Sequence, residues 1–280
     1  MKFILTGHKG LIGSFLLERL KAQGHEPLLL IDKRDNQDII EIGKHQLTEK
    51  ADMFIHLAAF CKINKTIEEP QLAFDNNVLG MHEVMEFCRK NKIPKMVFAS
   101  SSRVESKEKN PYTASKVYGE ELVKAYAECY GIDYVIIRPS TVYGPFNDLT
   151  KRLIDVYIIN ALQGEELKIF GNENKTLDTT YIDDFIDGTL MAMEQTNKEY
   201  DLSAGKGIKA SYIADLIIKL AGQGTKAFYP PEIAQPQEVE LDILPIKAIG
   251  YEPKVSIEEG IKKTFEWYKK NLDEILKSRN

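Results

Sequence analysis

The chain has 280 residues, 28% of them charged, with 42 acidic against 37 basic side chains and a formal net charge of −5. That length suffices to bury a sizeable core in one large domain or two modest ones, and the acidic balance, without a dense basic stripe, argues against nucleic acid as a partner. Three cysteines, Cys61, Cys88 and Cys129, stand far apart with no C-x-x-C or His-paired spacing, which suits a reducing cytoplasm and excludes a disulfide framework or a metal site of the familiar spacings. No apolar run approaches the ~18 residues of a membrane helix, and KFIL is too short for the apolar core of a signal peptide. The expectation is a cytoplasmic protein with no membrane partner and no metal.

The first apolar run, KFILT, leads into Gly7, Gly10 and Gly13, where a helical pattern running from Leu11 to Gln23 begins. A strand followed by a glycine loop and a helix is the context that gives such glycines meaning. The first permits a tight turn, the second lets backbone approach a pyrophosphate, and the third lets helix pack on strand. The helix start, with Leu11 and Ile12, then presents free N–H groups and a partial positive charge to phosphates. The second run, PLLLID, closes on Asp32, where a carboxylate can accept hydrogen bonds from ribose hydroxyls. The residues therefore predict a dinucleotide site.

Further runs, MFIHLAA, KMVFASS and YVIIRPS, read as buried strands, with helix patterns over Asn76 to Asn91 and Pro111 to Tyr130 between them. Alternation of this kind implies right-handed crossovers and a parallel sheet covered on both faces. After about Gly144 the rhythm changes: prolines cluster in YPPEIAQPQ and helices dominate. The expected fold is α/β, a Rossmann-type doubly wound parallel sheet with a smaller, partly helical C-terminal substrate lobe. Residues 1–144, with 177–203 returning to them, form the dinucleotide domain; 145–176 and 204–280 form the lobe.

The stretch NPYTASKVYGEELVKAY places Tyr112 and Lys116 on one helix face, four residues apart. The strand before it delivers Ser101 and Ser102 to the C-terminal edge of the sheet, where ligands of such folds bind. Together with the G-x-x-G-x-x-G spacing, IHLAA, NNVLG, RPSTVYGP, LKIFGNENKTLDTTYIDDF and IGYEPKVSIEEGIKKTFEWY, in that order along nearly the whole chain, these residues resemble the extended branch of the short-chain dehydrogenase/reductase superfamily, its nucleotide-sugar epimerases and dehydratases. The resemblance implies Tyr112 as catalytic base, Lys116 as its cationic neighbour and ribose ligand, and Ser101 as the hydroxyl donor to the substrate. It also implies that Leu57, Ala58, Ala59, Ala99 and Pro139 lie beside the cofactor, that Asn77 is a structural or cofactor-proximal residue, that Ser102 and Thr141 lie near the substrate, and that the chain forms a homodimer through the helices at 76–91 and 111–130. An unperturbed tyrosine is a poor base at neutral pH, and a nearby ammonium is expected to lower its pKa.

Departures from the pattern sharpen the expectation. Gln46, followed by Leu47, stands where many relatives place an adenine-binding aspartate. Leu177-Asp178 replaces the family's Arg-Asp, and no arginine occurs in AQPQEV, so two phosphate-gripping forks are missing; Lys151, Arg152 or Lys175 could replace them. Arg103, two residues after Ser101, is either a surface side chain or the partner of an acidic group on the substrate. The missing Asp-Glu pair argues against dehydratase chemistry. Asp32 favours NAD over NADP, whereas Lys9, Lys33 and Arg34 would accommodate a 2′-phosphate. The expected activity is NAD-dependent epimerisation of a nucleotide-linked sugar through a transient 4-keto intermediate. The alternatives are net oxidation or reduction of a keto sugar or smaller alcohol with exchangeable NAD(P), or a dinucleotide-sensing scaffold without catalysis.

Overall fold

A computed structural model describes residues 1–279. The chain forms β1 (Lys2–Thr6), α1 (Leu11–Ala22), β2 (Glu26–Ile31), β3 (Met53–His56) and the short helices α2 (Ile63–Glu68) and α3 (Pro70–Ala73). A π-helical turn over Phe74–Leu79 leads into α4 (Gly80–Lys90), followed by β4 (Lys95–Ala99), α5 (Pro111–Tyr130) and β5 (Asp133–Pro139). The helix expected from Asn76 thus begins earlier, because Pro70 fits the first turn of a helix, where its missing N–H is no loss. β3 stops at His56, so Leu57, Ala58 and Ala59 leave the strand as open backbone.

The second part contains β6 (Thr141–Tyr143), α6 (Leu153–Leu162), β7 (Glu166–Phe170), β8 (Thr176–Tyr181), α7 (Ile182–Met193) and β9 (Lys198–Leu202). Then follow β10 (Gly207–Lys209), α8 (Ala210–Ala221), β11 (Thr225–Tyr229), α9 (Leu244–Lys247) and α10 (Ile257–Arg279). The main sheet has the order β2–β1–β3–β4–β5–β9, with every pair parallel. Only β9 of the returning segment joins it. β8 instead sits between β6 and β10, and β7 pairs with β11, so the lobe is built on two small sheets.

Alternation along each strand sorts side chains to opposite faces. Phe3, Leu5, Ile55, Val97 and Val135 enter the core shared with α1, α7 and the lobe, while Ile4, Phe54, Met96, Phe98 and Ile136 enter the core under α4 and α5. Both faces are covered, as parallel sheets require. The reversal of strand order between β1 and β3 opens the crevice where ligands of such sheets bind.

Candidate active site

Backbone geometry at the first loop forms a cradle. Gly7 has φ +76° and its N–H donates to the Ile31 carbonyl at 2.8 Å. A Cβ on Gly13 would lie 2.1 Å from the Gly7 carbonyl oxygen, and one on Gly7 2.9 Å from the Ala58 nitrogen. Only glycine at both positions lets α1 begin this close to β1 and β3. Gly10 caps α1 from an extended conformation without any side-chain bond, leaving the first-turn N–H groups free for an anion. Asp32 is 7% exposed; its carboxylate accepts from the Lys9 N–H at 3.0 Å and the Arg34 N–H at 3.0 Å. Lys9 pairs with Asp35, and Lys33 with Asp38 at 3.2 Å, so the cations that could take a 2′-phosphate are matched by carboxylates. The cradle, the free N–H groups and the acid fit a dinucleotide with unmodified ribose. A groove of ≈ 310 Å³ runs along these residues.

Helix α5 carries the reactive set. Asn110 caps it by accepting from the Thr113 N–H at 2.9 Å, Pro111 starts it, and Gly131 ends it in the left-handed conformation. That placement turns Tyr112 and Lys116 toward the end of β4, and both are buried, at 8% and 4% exposure. Lys116 Nζ donates to the Ala99 carbonyl at 2.7 Å and lies 4.9 Å over the Phe98 ring. Burial pushes Tyr112 up to about 12; Cys61 adds to the rise, while the Ser101 hydroxyl and the cations Arg152 and Arg103 oppose it. Burial likewise pulls Lys116 down to about 8, against the pull of Cys61 and Glu120. The expected lowering of Tyr112 by Lys116 is not seen: burial dominates, Lys116 donates to Ala99, and the cations acting on the phenol are Arg152 and Arg103 on the side of the second cavity.

The Lys116 shift has a measurable consequence. Below pH 8 the ammonium is held at a cost in the fold; between about 8 and 10.5 the unfolded chain binds the proton more strongly, so stability from this group rises with pH. A Lys116→Met variant removes that cost. Its stability relative to the parent should fall by about 2–3 kcal/mol between pH 7 and pH 10, read as urea midpoints at both pH values. A difference that does not change with pH would refute the assignment.

A second cavity, ≈ 390 Å³, adjoins the groove and shares Ile12, Cys61 and Arg152 with it. Ser101, Tyr112, Pro139 and Thr141 line it at the sheet edge, and Arg103, Lys151, Lys168 and Lys175 face it from the surrounding loops and strands. Glu232 is the one acid on its wall. Arg152 is held by Asp148 at 3.3 Å and donates to the Val142 carbonyl at 3.2 Å; Lys175, 5% exposed, donates to the Phe170 carbonyl at 2.6 Å. Two cavities, one fitted to a dinucleotide and one strongly cationic, thus meet at Ile12, Cys61 and Arg152, with a phenol and a serine on the wall of the second.

Most residues singled out from the sequence meet here. Gly7, Gly10, Leu11, Ile12, Gly13, Asp32, Lys33, Leu57, Ala58, Ala59 and Ala99 line the groove. Asn77 does not: it is buried, accepts from the Phe60 N–H at 2.8 Å and donates to Ser115 Oγ at 3.0 Å, stapling the strand exit to α5. Its neighbour Asn76 lines the groove instead. Ser102 is buried in the turn that starts there and lies off both cavities. Gln46 is exposed and Leu47 packs on the core beneath α4; Gln37 and Ile39 occupy that end of the groove. Leu177 reaches the second cavity where the family pattern has an arginine, while Asp178 is fully buried and accepts from Ser203 Oγ at 2.8 Å and the Leu241 N–H at 3.1 Å. Sequence reading missed Phe146, Asp148, Leu149 and Thr150 over the groove, and Tyr157, Lys168 and Gln235 in the cavity. Lys168 and Gln235 lie within stretches noted for other residues, and the rest arrive through loops and lobe elements. Among the described residues, no cluster of three or more His, Cys, Asp or Glu is placed to hold a metal, and no helix is long and apolar enough to cross a membrane.

Fold and groove fit a dinucleotide-dependent enzyme. Residues 3–203 match the NAD dependent epimerase/dehydratase family, and the chain belongs to that family. It is 31% identical to the UDP-glucuronate 4-epimerase of Thermodesulfobacterium geofontis, over 99% of this chain and 98% of that one. Among solved structures, the UDP-glucose 4-epimerase of Thermotoga maritima with UDP-glucose superposes with TM-score 0.88 at 25% identity, covering 97% of this chain and 100% of that one. The UDP-glucose 4-epimerase of Thermus thermophilus in complex with NAD gives 0.86 at 26%, covering 96% and 99%.

Proposed function

We propose that this chain epimerises a nucleotide-linked sugar at C4 with NAD held in the first groove. The observation that carries the reading is that Tyr112 and Ser101 line a cationic cavity that adjoins the dinucleotide groove across Ile12, Cys61 and Arg152. Gly7, Gly10 and Gly13 with the start of α1 would hold the pyrophosphate, Asp32 the adenosine ribose, and Lys116 with Ala99 the nicotinamide side. Bound NAD supplies a reversible hydride acceptor at the sugar carbon. Ser101 donates a hydrogen bond to the C4 oxygen and orients it, and Tyr112 takes the hydroxyl proton and later returns it to that same oxygen, the turned 4-keto sugar having taken hydride back at C4 on its opposite face. No net oxidant is consumed.

Lys151, Arg152, Lys168 and Lys175 supply the positive charge for the diphosphate that the missing arginines do not. For that reason a nucleotide sugar is a better fit than a small uncharged alcohol, and the net oxidoreductase reading loses its main support. In this assignment residues 1–144 with 177–203 carry the cofactor, and 145–176 with 204–280 complete the substrate pocket. Phe74 and Leu79 in the turn before α4, and Val117 and Tyr130 on α5, are large apolar side chains left exposed, consistent with a homodimer through that surface in the cytoplasm. The test of the activity is proton NMR of the protein with UDP-, dTDP-, GDP- and CDP-sugars and catalytic NAD. A new epimer signal without accumulated NADH is expected; no change with any nucleotide sugar would refute the reading.

A further inference from the structure

We propose that the cationic cavity is built for a sugar bearing a carboxylate on the ring carbon next to the reacting one, a nucleotide-linked hexuronate, and that Arg103 is the residue that reads it. The inference rests on the epimerase reading above. Arg103 follows Ser101 by two positions, and its backbone N–H donates to Ser101 Oγ at 3.2 Å, so its side chain starts from the serine that would hold the C4 oxygen. It lines the same cavity as Tyr112 and Thr141. Its Nη1 is buried with no hydrogen-bond partner among the described residues.

The two carboxylates that act on this guanidinium through space, Glu108 and Glu232, are bonded elsewhere: Glu108 accepts from Ser106 Oγ, and Glu232 from Asn64 Nδ2 at 2.8 Å. An unpaired buried donor on a charged group is costly, and a planar fork beside the reacting centre matches a carboxylate in two parallel bonds. Geometry on the sugar says which anion. C5 is bonded to C4 and carries the exocyclic carbon, whereas the diphosphate hangs from C1 across the ring. A group anchored beside Ser101 therefore faces the C5 substituent, and Lys168 and Lys175, on and beyond β7, remain for the phosphates. A neutral hydroxymethyl group at C5 would leave the guanidinium unmatched.

Calorimetric binding of UDP-glucuronate and UDP-glucose to NAD-supplied Tyr112→Phe protein tests this without turnover. UDP-glucuronate should bind about 10- to 100-fold more tightly, and adding Arg103→Leu should erase that preference. Arg103→Lys, which keeps the charge without the fork, should keep part of it. Retained NAD affinity certifies that each variant is folded. Equal binding of the two sugars, or an equal loss for both on Arg103→Leu, overturns the proposal and hands Arg103 to the diphosphate. Epimerisation of UDP-glucose by the parent alongside equal binding would sink Arg103 as carboxylate reader while leaving the epimerase standing. If neither sugar binds, this inference is overturned, while the epimerase reading stands or falls separately with the full panel of nucleotide sugars.

Discussion

The Tyr112→Phe variant is expected to lose turnover by about 10³-fold while keeping its fold and its NAD affinity. The ring stays, and with it the burial that Tyr112 contributes at the start of α5; what goes is one hydroxyl oxygen. That oxygen lies in a cavity beside Ser101 and within reach of the charges of Arg152 and Arg103, which favour its ionised form, but burial outweighs them and holds the phenol at about 12. A base with so high a pKa is a weak acceptor at neutral pH. A positive nicotinamide ring against the phenol would stabilise the phenolate, so activity is tied to an occupied groove. Epimer formation followed by NMR reads the loss directly. A variant that retained more than a tenth of parental turnover would remove Tyr112 from the chemistry, and an equal loss of NAD affinity would recast it as a packing residue.

Gly13→Ala should weaken NAD binding by at least about 100-fold and cost about 1–3 kcal/mol of stability. The added Cβ meets the Gly7 carbonyl oxygen at 2.1 Å and the Gly7 carbonyl carbon at 2.8 Å. Those are backbone atoms, so no rotamer change relieves the clash; either α1 moves away from β1 or the loop opens. Both displace the free N–H groups that face the pyrophosphate. Gly43→Ala is the matched control, because a Cβ there meets nothing within 4 Å, and it should leave NAD affinity unchanged. Titration of NAD against both variants, with thermal midpoints alongside, separates a local effect of the cradle from a general effect of losing a glycine. Equal affinities in the two variants would refute the cradle.

Much of this is legible in the residues. Local grammar has local causes: a strand, three glycines and a helix in register, Asp32 at the next strand end, Asn110-Pro111 capping α5, and Tyr112 and Lys116 one turn apart all rest on spacings of a few residues. Those spacings determine the parallel sheet, the dinucleotide groove and the reactive pair. Where structure and expectation part, a longer range is involved. Asn77, expected to be structural or beside the cofactor, takes the structural place as a buried staple, since one position along a helix turns a side chain from groove to interior. Gln46, expected at the adenine, is replaced at that end by Gln37 and Ile39, because the chain after Asp32 folds into short 3₁₀ turns with no periodic signature.

The tertiary structure alone decided the charge of the substrate pocket. Leu177 signals a missing arginine, and the sequence offers Lys151, Arg152 and Lys175 as replacements and Arg103 as a partner for an acidic group, but does not show that they converge with Lys168 of β7 on one cavity. Nor does the sequence show that Lys116 donates to Ala99 instead of acting on Tyr112. Convergence of side chains far apart in the chain depends on how two small sheets and their loops close over the main one, and that closure is set by the shared core, not by any local motif. Sequence by itself determined the scaffold and its chemistry, whose causes lie within a helix turn or a strand end; packing across the chain decided which anions the site can hold.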